Sequence, residues 1–287
     1  MTTTMTTRHR MVSQLTLGYL TLGPQTLPLE LVKAAAVAGY GAVSPRISGR
    51  YPGDTWGQAG SHAATFDEFR SAANGARIRI PSVTGYYISP QVHIQHLLAN
   101  VAAATQLGAR RIIQGCFDPD LERVASLLSM YAAAAEDAGV QISLEFMPMS
   151  ELKTIGQTFE LIKAVGASNL GLVIDTLHLM RSGASAVDVA RLDPSSIHLT
   201  QLSDAPAQLA PGASLFDEAM SGRMHLGEGG LDLASVVRAL SADAELELET
   251  PVAALASRCA TRRACLAAEA AQRFFNSNFP EHQETCP

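Results

Sequence analysis

Residues 141–202 read QISLEFMPMSELKTIGQTFELIKAVGASNLGLVIDTLHLMRSGASAVDVARLDPSSIHLTQL. Three short apolar runs stand out in this stretch: Gln141 to Phe146, Leu170 to Asp175 and Ile197 to Leu202. Each is bounded by turn residues and fits a strand buried on both faces. Between the first two, Ile155 to Val165 carries its apolar residues at helical spacing and stops at Gly166, as helices commonly do. Strands that alternate with helices at this spacing imply a parallel sheet.

The same rhythm extends in both directions. It predicts further strands at Gln14 to Tyr19, Gly41 to Pro45, Arg77 to Thr84, Arg111 to Gly115 and Glu245 to Glu249, making eight. Helices are expected at Leu29 to Ala38, Ile94 to Leu107, Leu121 to Ala138, Leu231 to Ser241 and Val252 to Phe275, with Gly39, Gly108 and Gly139 as stops. Eight such units in 287 residues fit a single (β/α)8 TIM barrel, which typically needs about 250 residues. The expected domain runs from residue 11 to 276, with polar tails at 1–10 and 277–287. Ser48 to His62, which holds Trp56, and Asp204 to Gly230 read as long loops after strands, where barrel enzymes build their sites.

Composition narrows the function. A formal charge of −6 argues against a nucleic-acid partner, which calls for a concentrated Lys/Arg face. No apolar run approaches the roughly 20 residues of a membrane span, and MTTTMTTRHR at the start has no apolar stretch behind it to act as a signal peptide. Cys116, Cys259, Cys265 and Cys286 lack CxxC pairing, so reduced thiols and a cytoplasmic location are expected. The expected partner is a small molecule; a homo-oligomer stays open.

Four of the apolar runs end in a polar residue: SLEF at Glu145, LVID at Asp175, LTQL at Gln201 and LELET at Glu249. Side chains leaving the C-terminal ends of barrel strands converge above the barrel axis. A lone carboxylate at a strand end is more often a loop cap, but four in register on successive strands point to a shared site. Three converging carboxylates raise one another's pKa values unless a cation neutralises them. One divalent ion resolves the conflict. Oxygen donors without a His or Cys cluster favour Mn²⁺ first, or Mg²⁺, over Zn²⁺. Glu245 and Glu247 share the face of Glu249 by period two, but Pro251 closes the strand and leaves Glu249 nearest the mouth.

At these residues the chain resembles the xylose-isomerase-like superfamily of TIM-barrel sugar and sugar-phosphate isomerases, epimerases and related dehydratases. SLEFMP at Ser143 to Pro148, IDTLHLMRSG at Ile174 to Gly183, TQLSDA at Thr200 to Ala205, RMHLGEGGLDL at Arg223 to Leu233 and ELETP at Glu247 to Pro251 fall in that family's order. The resemblance implies a divalent metal on Glu145, Asp175, Gln201 and Glu249, with Glu145 and Glu249 as the catalytic acid/base pair on opposite sides of the substrate. It implies substrate contacts from His178 and Arg223. His225 faces either a substrate hydroxyl or solvent and is carried as a third substrate-binding candidate. Met147 departs from the pattern, since several members carry His after the strand-five Glu. His198 is expected outside the barrel by alternation, and Arg46, just past the second strand, is expected in solvent, with binding of an anionic group as the less favoured alternative.

The expected reaction is proton abstraction α to a carbonyl through an enediolate, giving isomerisation or epimerisation of a sugar, polyol or keto acid. Loss of a β-hydroxyl would make it a dehydratase of the inosose or dehydroshikimate type. A barrel that binds such a ligand without turning it over is the third reading.

Overall fold

The computed structural model describes residues 9–54 and 65–280; Trp56 and Cys286 lie outside them. Eight parallel strands form one sheet: β1 (Thr16–Gly18), β2 (Ala42–Ser44), β3 (Ser82–Thr84), β4 (Arg111–Gln114), β5 (Gln141–Glu145), β6 (Leu170–Asp175), β7 (Ile197–Leu202) and β8 (Leu246–Leu248). β1 pairs with β8. The remaining seam, between β2 and β3, is closed by backbone hydrogen bonds from Val43 to Arg79, Arg79 to Gly41, Thr84 to Pro45 and Ile47 to Thr84. The result is a TIM barrel.

The helices are α1 (Pro28–Ala38), α2 (Phe66–Gly75), α3 (Ile94–Leu107), α4 (Leu121–Asp137), α5 (Ile155–Val165), α6 (Thr176–Arg181), α7 (Ala186–Ala190), α8 (Leu215–Ser221), α9 (Leu233–Ala239) and α10 (Ala260–Asn278). Gly39, Gly108, Gly139 and Gly166 follow α1, α3, α4 and α5 with φ between 68° and 84°, the left-handed conformation that glycine adopts without strain. Four helices escape the sequence reading, namely α2, α6, α7 and α8. They are short, and α8 lies inside the segment read as a loop, where Ser214 caps it by accepting from the Asp217 amide.

The sequence-predicted C-terminal boundary needs correction. α10 runs on to Asn278, and Phe279 is buried against Phe274 and Phe275 with the Arg238 guanidinium 5.2 Å above its ring. A polar-looking NSNF sequence hides this, because only packing shows that Phe279 turns back onto the helix. The predicted helix from Val252 breaks into a 3-10 turn at Ala253–Leu255 before α10 begins. No helix among the described residues is long and apolar enough to cross a membrane. The described cysteines, Cys116, Cys259 and Cys265, are unpaired.

The barrel interior is polar. Paired residues on adjacent strands share a face, so the register carries Thr16, Ser44, Ser82, Ser143, Gln201 and Glu247 inward together with Glu145 and Asp175. Gly18 is required beside them, since a Cβ there would lie 2.7 Å from Glu247 Oε1. His198 also faces inward, against the expectation. Leu172 pairs with Ile197 and Val173 with Leu199, so His198 is an extra residue in β7. Such a bulge breaks alternation, and the ring meets Ser143 Oγ at 3.1 Å over Gly171. Arg46 is buried too, paired with Asp54 and bonded to the Ser48 carbonyl at 2.8 Å.

Replacing Phe279 with Ala removes a buried ring from the seat of α10 and is expected to lower stability by about 3 kcal/mol, read from urea unfolding. An unchanged midpoint would return Phe279 to a frayed tail.

Candidate metal centre and active site

The end of each of the last four strands delivers a polar side chain to the mouth of the barrel. Glu145 closes β5 and Asp175 closes β6; Gln201 sits opposite Asp175 in β7, and Glu249 follows β8, its amide bonded to the Leu202 carbonyl at 3.1 Å. All four are buried. Glu145, Gln201 and Glu249 line one cavity, together with His178, Arg223, Arg50 and an aromatic and methionine wall that includes Tyr19, Tyr87, Met147 and Met220.

Arg223 organises the acids. Its Nη1 lies 2.5 Å from Asp175 Oδ2 and 3.0 Å from Ser203 Oγ, its Nη2 lies 3.0 Å from Glu249 Oε2, and its Nε donates to the Ala219 carbonyl. The glycine-rich turn places it there. Asp204 exchanges backbone hydrogen bonds with Met224 and accepts with its carboxylate from the amides of Gly227, Gly229 and Leu231. Gly229 cannot be larger, because a Cβ would meet Asp204 Oδ1 at 2.3 Å.

Asp175 also caps α6 by accepting from the His178 amide at 2.9 Å. One carboxylate is thus both the cap and the acid that the sequence reading weighed as alternatives. Burial alone would push Asp175 up, but Arg223 and the His178 contact hold it below its ordinary value. Glu145 is raised well above the usual carboxylate range, by burial first and then by the charges of Glu249 and Asp175. Glu249 is raised by burial, with Arg223 opposing. Burial pushes His178 down to about 4, which leaves a neutral imidazole with a free lone pair.

The donors fit a divalent ion. Ligand atoms of Glu145, Asp175 and His178 lie within 4.8 Å of one another. Gln201 Oε1 is buried with no hydrogen-bond partner among the described residues, while its Nε2 donates to Glu247 Oε1 at 2.9 Å. An unpaired buried carbonyl oxygen is costly, and a cation beside it removes the cost. Glu249 is tied to Arg223 instead and stands outside the tightest cluster.

The two histidines proposed to meet substrate differ in their surroundings. His178 sits 3.7 Å from Glu145 and so joins the potential ligands as well as the cavity wall. His225 is buried, but it is not among the side chains lining the cavity, and neither ring nitrogen has a partner among the described residues. Glu247, placed by its spacing on the same strand face as Glu249, is set aside in the sequence reading because the end position favours Glu249. It is buried one layer below Glu249, held by Gln201 and Ser82, and pushed up to about 8 by burial and then by Glu249. The signal was present in the period-two spacing of LELE, but burial decides that both glutamates point inward.

Residues 32–275 match the family of xylose isomerase-like TIM barrels. The chain belongs to that family. Among curated xylose isomerase-like relatives, the inosose isomerase of Halalkalibacterium halodurans is 32% identical over 110 residues, covering 38% of this chain and 37% of that protein. The matched stretch is therefore well under half of the relative's length. Among solved structures, the IolI protein determined with a bound zinc atom superposes with a TM-score of 0.77 over 92% of this chain and 99% of the other, at 16% identity. An L-ribulose 3-epimerase superposes at 0.68 over 92% and 93%, also at 16% identity. At that identity the likeness is one of fold.

Glu247 fixes which end of the Gln201 amide is free. Glu247→Leu is expected to weaken divalent-ion binding by about 10-fold, the scale of losing a hydrogen bond that orients a ligand; Gln201→Leu is expected to weaken it further, and Gln201→His to restore most of it. Calorimetric titration of metal-stripped protein reads all three. Equal affinity across the series would take Gln201 away from the metal.

Proposed function

We propose that the protein is a divalent-metal-dependent isomerase or epimerase of a sugar or sugar-like compound, moving a proton on the carbon next to a carbonyl. The observation that carries this reading is the pair Glu145 and Glu249. Both are buried, both face one cavity, both have raised pKa values, and they come from strands separated by two others around the barrel. General bases work best with a pKa near the working pH. Two such groups on different sides of one pocket suit removal of a proton by one and return by the other. The name inosose isomerase on the partly matched relatives agrees with this chemistry.

Glu145, Asp175, Gln201 and Glu249 would hold the metal, with His178 adjoining them. A bound divalent ion supplies polarisation of the substrate carbonyl, making the neighbouring C–H more acidic. Mn²⁺ or Mg²⁺ follows from the oxygen donors; the nearby imidazole brings Zn²⁺, the ion held by the IolI protein, into the same range. The remaining steps belong to the chain. Arg223 holds Asp175 and Glu249 in place and keeps Asp175 ionised. The Tyr19, Tyr87 and methionine wall excludes water from the face of a sugar ring. The substrate is a small molecule, and a cytoplasmic setting accords with the unpaired cysteines.

Incubating the metal-loaded protein with ketoses and inososes in D2O is expected to place solvent deuterium α to the carbonyl. Glu145→Gln and Glu249→Gln should each lower the exchange rate by roughly 10²-fold or more, while Glu249→Gln keeps measurable metal. Glu160→Gln, on the exposed face of α5, serves as the control. Tight ligand binding with no exchange from any compound would make the protein a binding barrel. Undiminished exchange in rigorously stripped protein would remove the metal from the reading.

A further inference from the structure

Arg50 lies in the cavity with no acid of its own among the described residues. It follows β2, and its backbone is pinned on both sides: its amide donates to Asp54 Oδ2 at 2.9 Å and its carbonyl accepts from the Tyr87 amide at 2.7 Å. The side chain turns into the pocket beside Glu249, Thr84 and the aromatic wall. Nη2 donates to the Tyr19 hydroxyl at 2.6 Å, Nη1 to the Met220 sulfur at 3.4 Å, and the guanidinium carbon stands 5.6 Å from the centre of the Tyr87 ring. Nε is buried with no acceptor among the described residues.

Other buried arginines are treated differently. Arg46 meets Asp54, Arg181 meets Glu218, and Arg223 meets Asp175 and Glu249. Arg50 has a phenol, a thioether and a ring face. Glu249 is the carboxylate whose field reaches Arg50, but that carboxylate is hydrogen-bonded to Arg223 at 3.0 Å. A guanidinium offers five N–H donors in a planar fork suited to two oxygens of one anion. Here two donors are spent on neutral partners, and Nε has no acceptor among the described residues, in a recess of the protein where an ionic hydrogen bond is stronger than in water.

We propose that Arg50 receives an anionic group of the substrate, a carboxylate or a phosphate, so that the preferred substrate is a hydroxy acid of sugar type or a sugar phosphate and not a neutral polyol. The metal held by the oxygen donors at the ends of β5 to β8 would take the carbonyl end of the molecule, Arg50 its charged end, and Tyr19 and Tyr87 the ring or chain between. This rests on the reading of the cavity as a substrate site. It also discriminates, because inosose itself is uncharged.

The test is binding by the metal-loaded protein, read by calorimetry, to two pairs of probes: shikimate against myo-inositol, and ribulose 5-phosphate against ribulose. At least one charged probe is expected to bind 10-fold or more tightly than its neutral counterpart, and the pair that shows it distinguishes carboxylate from phosphate. Arg50→Met should abolish the preference, weakening the charged probe 10-fold or more beyond any loss for its neutral counterpart while leaving metal affinity within about twofold, and Arg50→Lys should retain part of it. Should Arg50→Met fail to fold, by circular dichroism, Arg50→Gln takes its place. Equal binding within both pairs, no binding of either anion, or an equal loss for charged and neutral probes in the variant would overturn the proposal. The solvent-exchange measurement stands apart from this: absence of deuterium incorporation sinks the proton-transfer reading and leaves the Arg50 preference readable.

Discussion

The pairing of Arg223 with both Asp175 and Glu249 is the contact on which the barrel mouth depends. Glu145, Asp175, Glu247 and Glu249 are all buried within one interior, where unpaired carboxylates repel one another and lose hydration. Arg223 neutralises two acids at once and is itself fixed through the Asp204 hydrogen bonds to the glycine-rich turn. Only Asp175 is pulled below its ordinary pKa as a result. Glu145 and Glu249 stay above theirs. The guanidinium thus holds one of the four acids ionised, while burial keeps Glu145, Glu247 and Glu249 above their ordinary values.

Beneath the mouth, the polar filling of the barrel carries the same logic downward. Glu247 anchors the Gln201 amide, Ser82 anchors Glu247, and Gly18 leaves the room they need. At the opposite end Glu245 pairs with Arg111 and, at 3.8 Å, with Arg79. The three glutamates of β8 and its ends thus stand at three levels: Glu245 at the base of the barrel, Glu247 under the Gln201 amide and Glu249 in the cavity. Their equal spacing along one strand face makes this division possible.

The cavity itself is asymmetric. Strands β5 to β8 supply oxygen donors, whereas the first half of the chain supplies Tyr19, Arg50 and Tyr87. Family members differ in what they act on while sharing a fold, and such differences live in loops on a common frame. The donors of the second half suit a reaction at a carbonyl. The groups of the first half suit recognition of the rest of the substrate.

Much of this was legible in the sequence. Apolar runs ending in Glu145, Asp175 and Gln201 marked the strands, because a parallel sheet covered on both faces favours near-continuous apolar sequence. Helix stops at Gly39, Gly108 and Gly166 were equally plain, since the left-handed conformation selects glycine locally. What only the tertiary structure decided depends on contacts between distant residues. Arg223 reaches Asp175 across 48 positions. Glu247 turns inward beside Gln201 because the register of β7 and β8 sets them opposite. A bulge reverses His198, Phe279 folds back onto α10, and Arg50 enters the pocket through bonds to Tyr87 and Asp54. Local sequence fixes periodicity and turns; register, bulges and the pairing of buried charges are settled by packing, which no short window of residues contains.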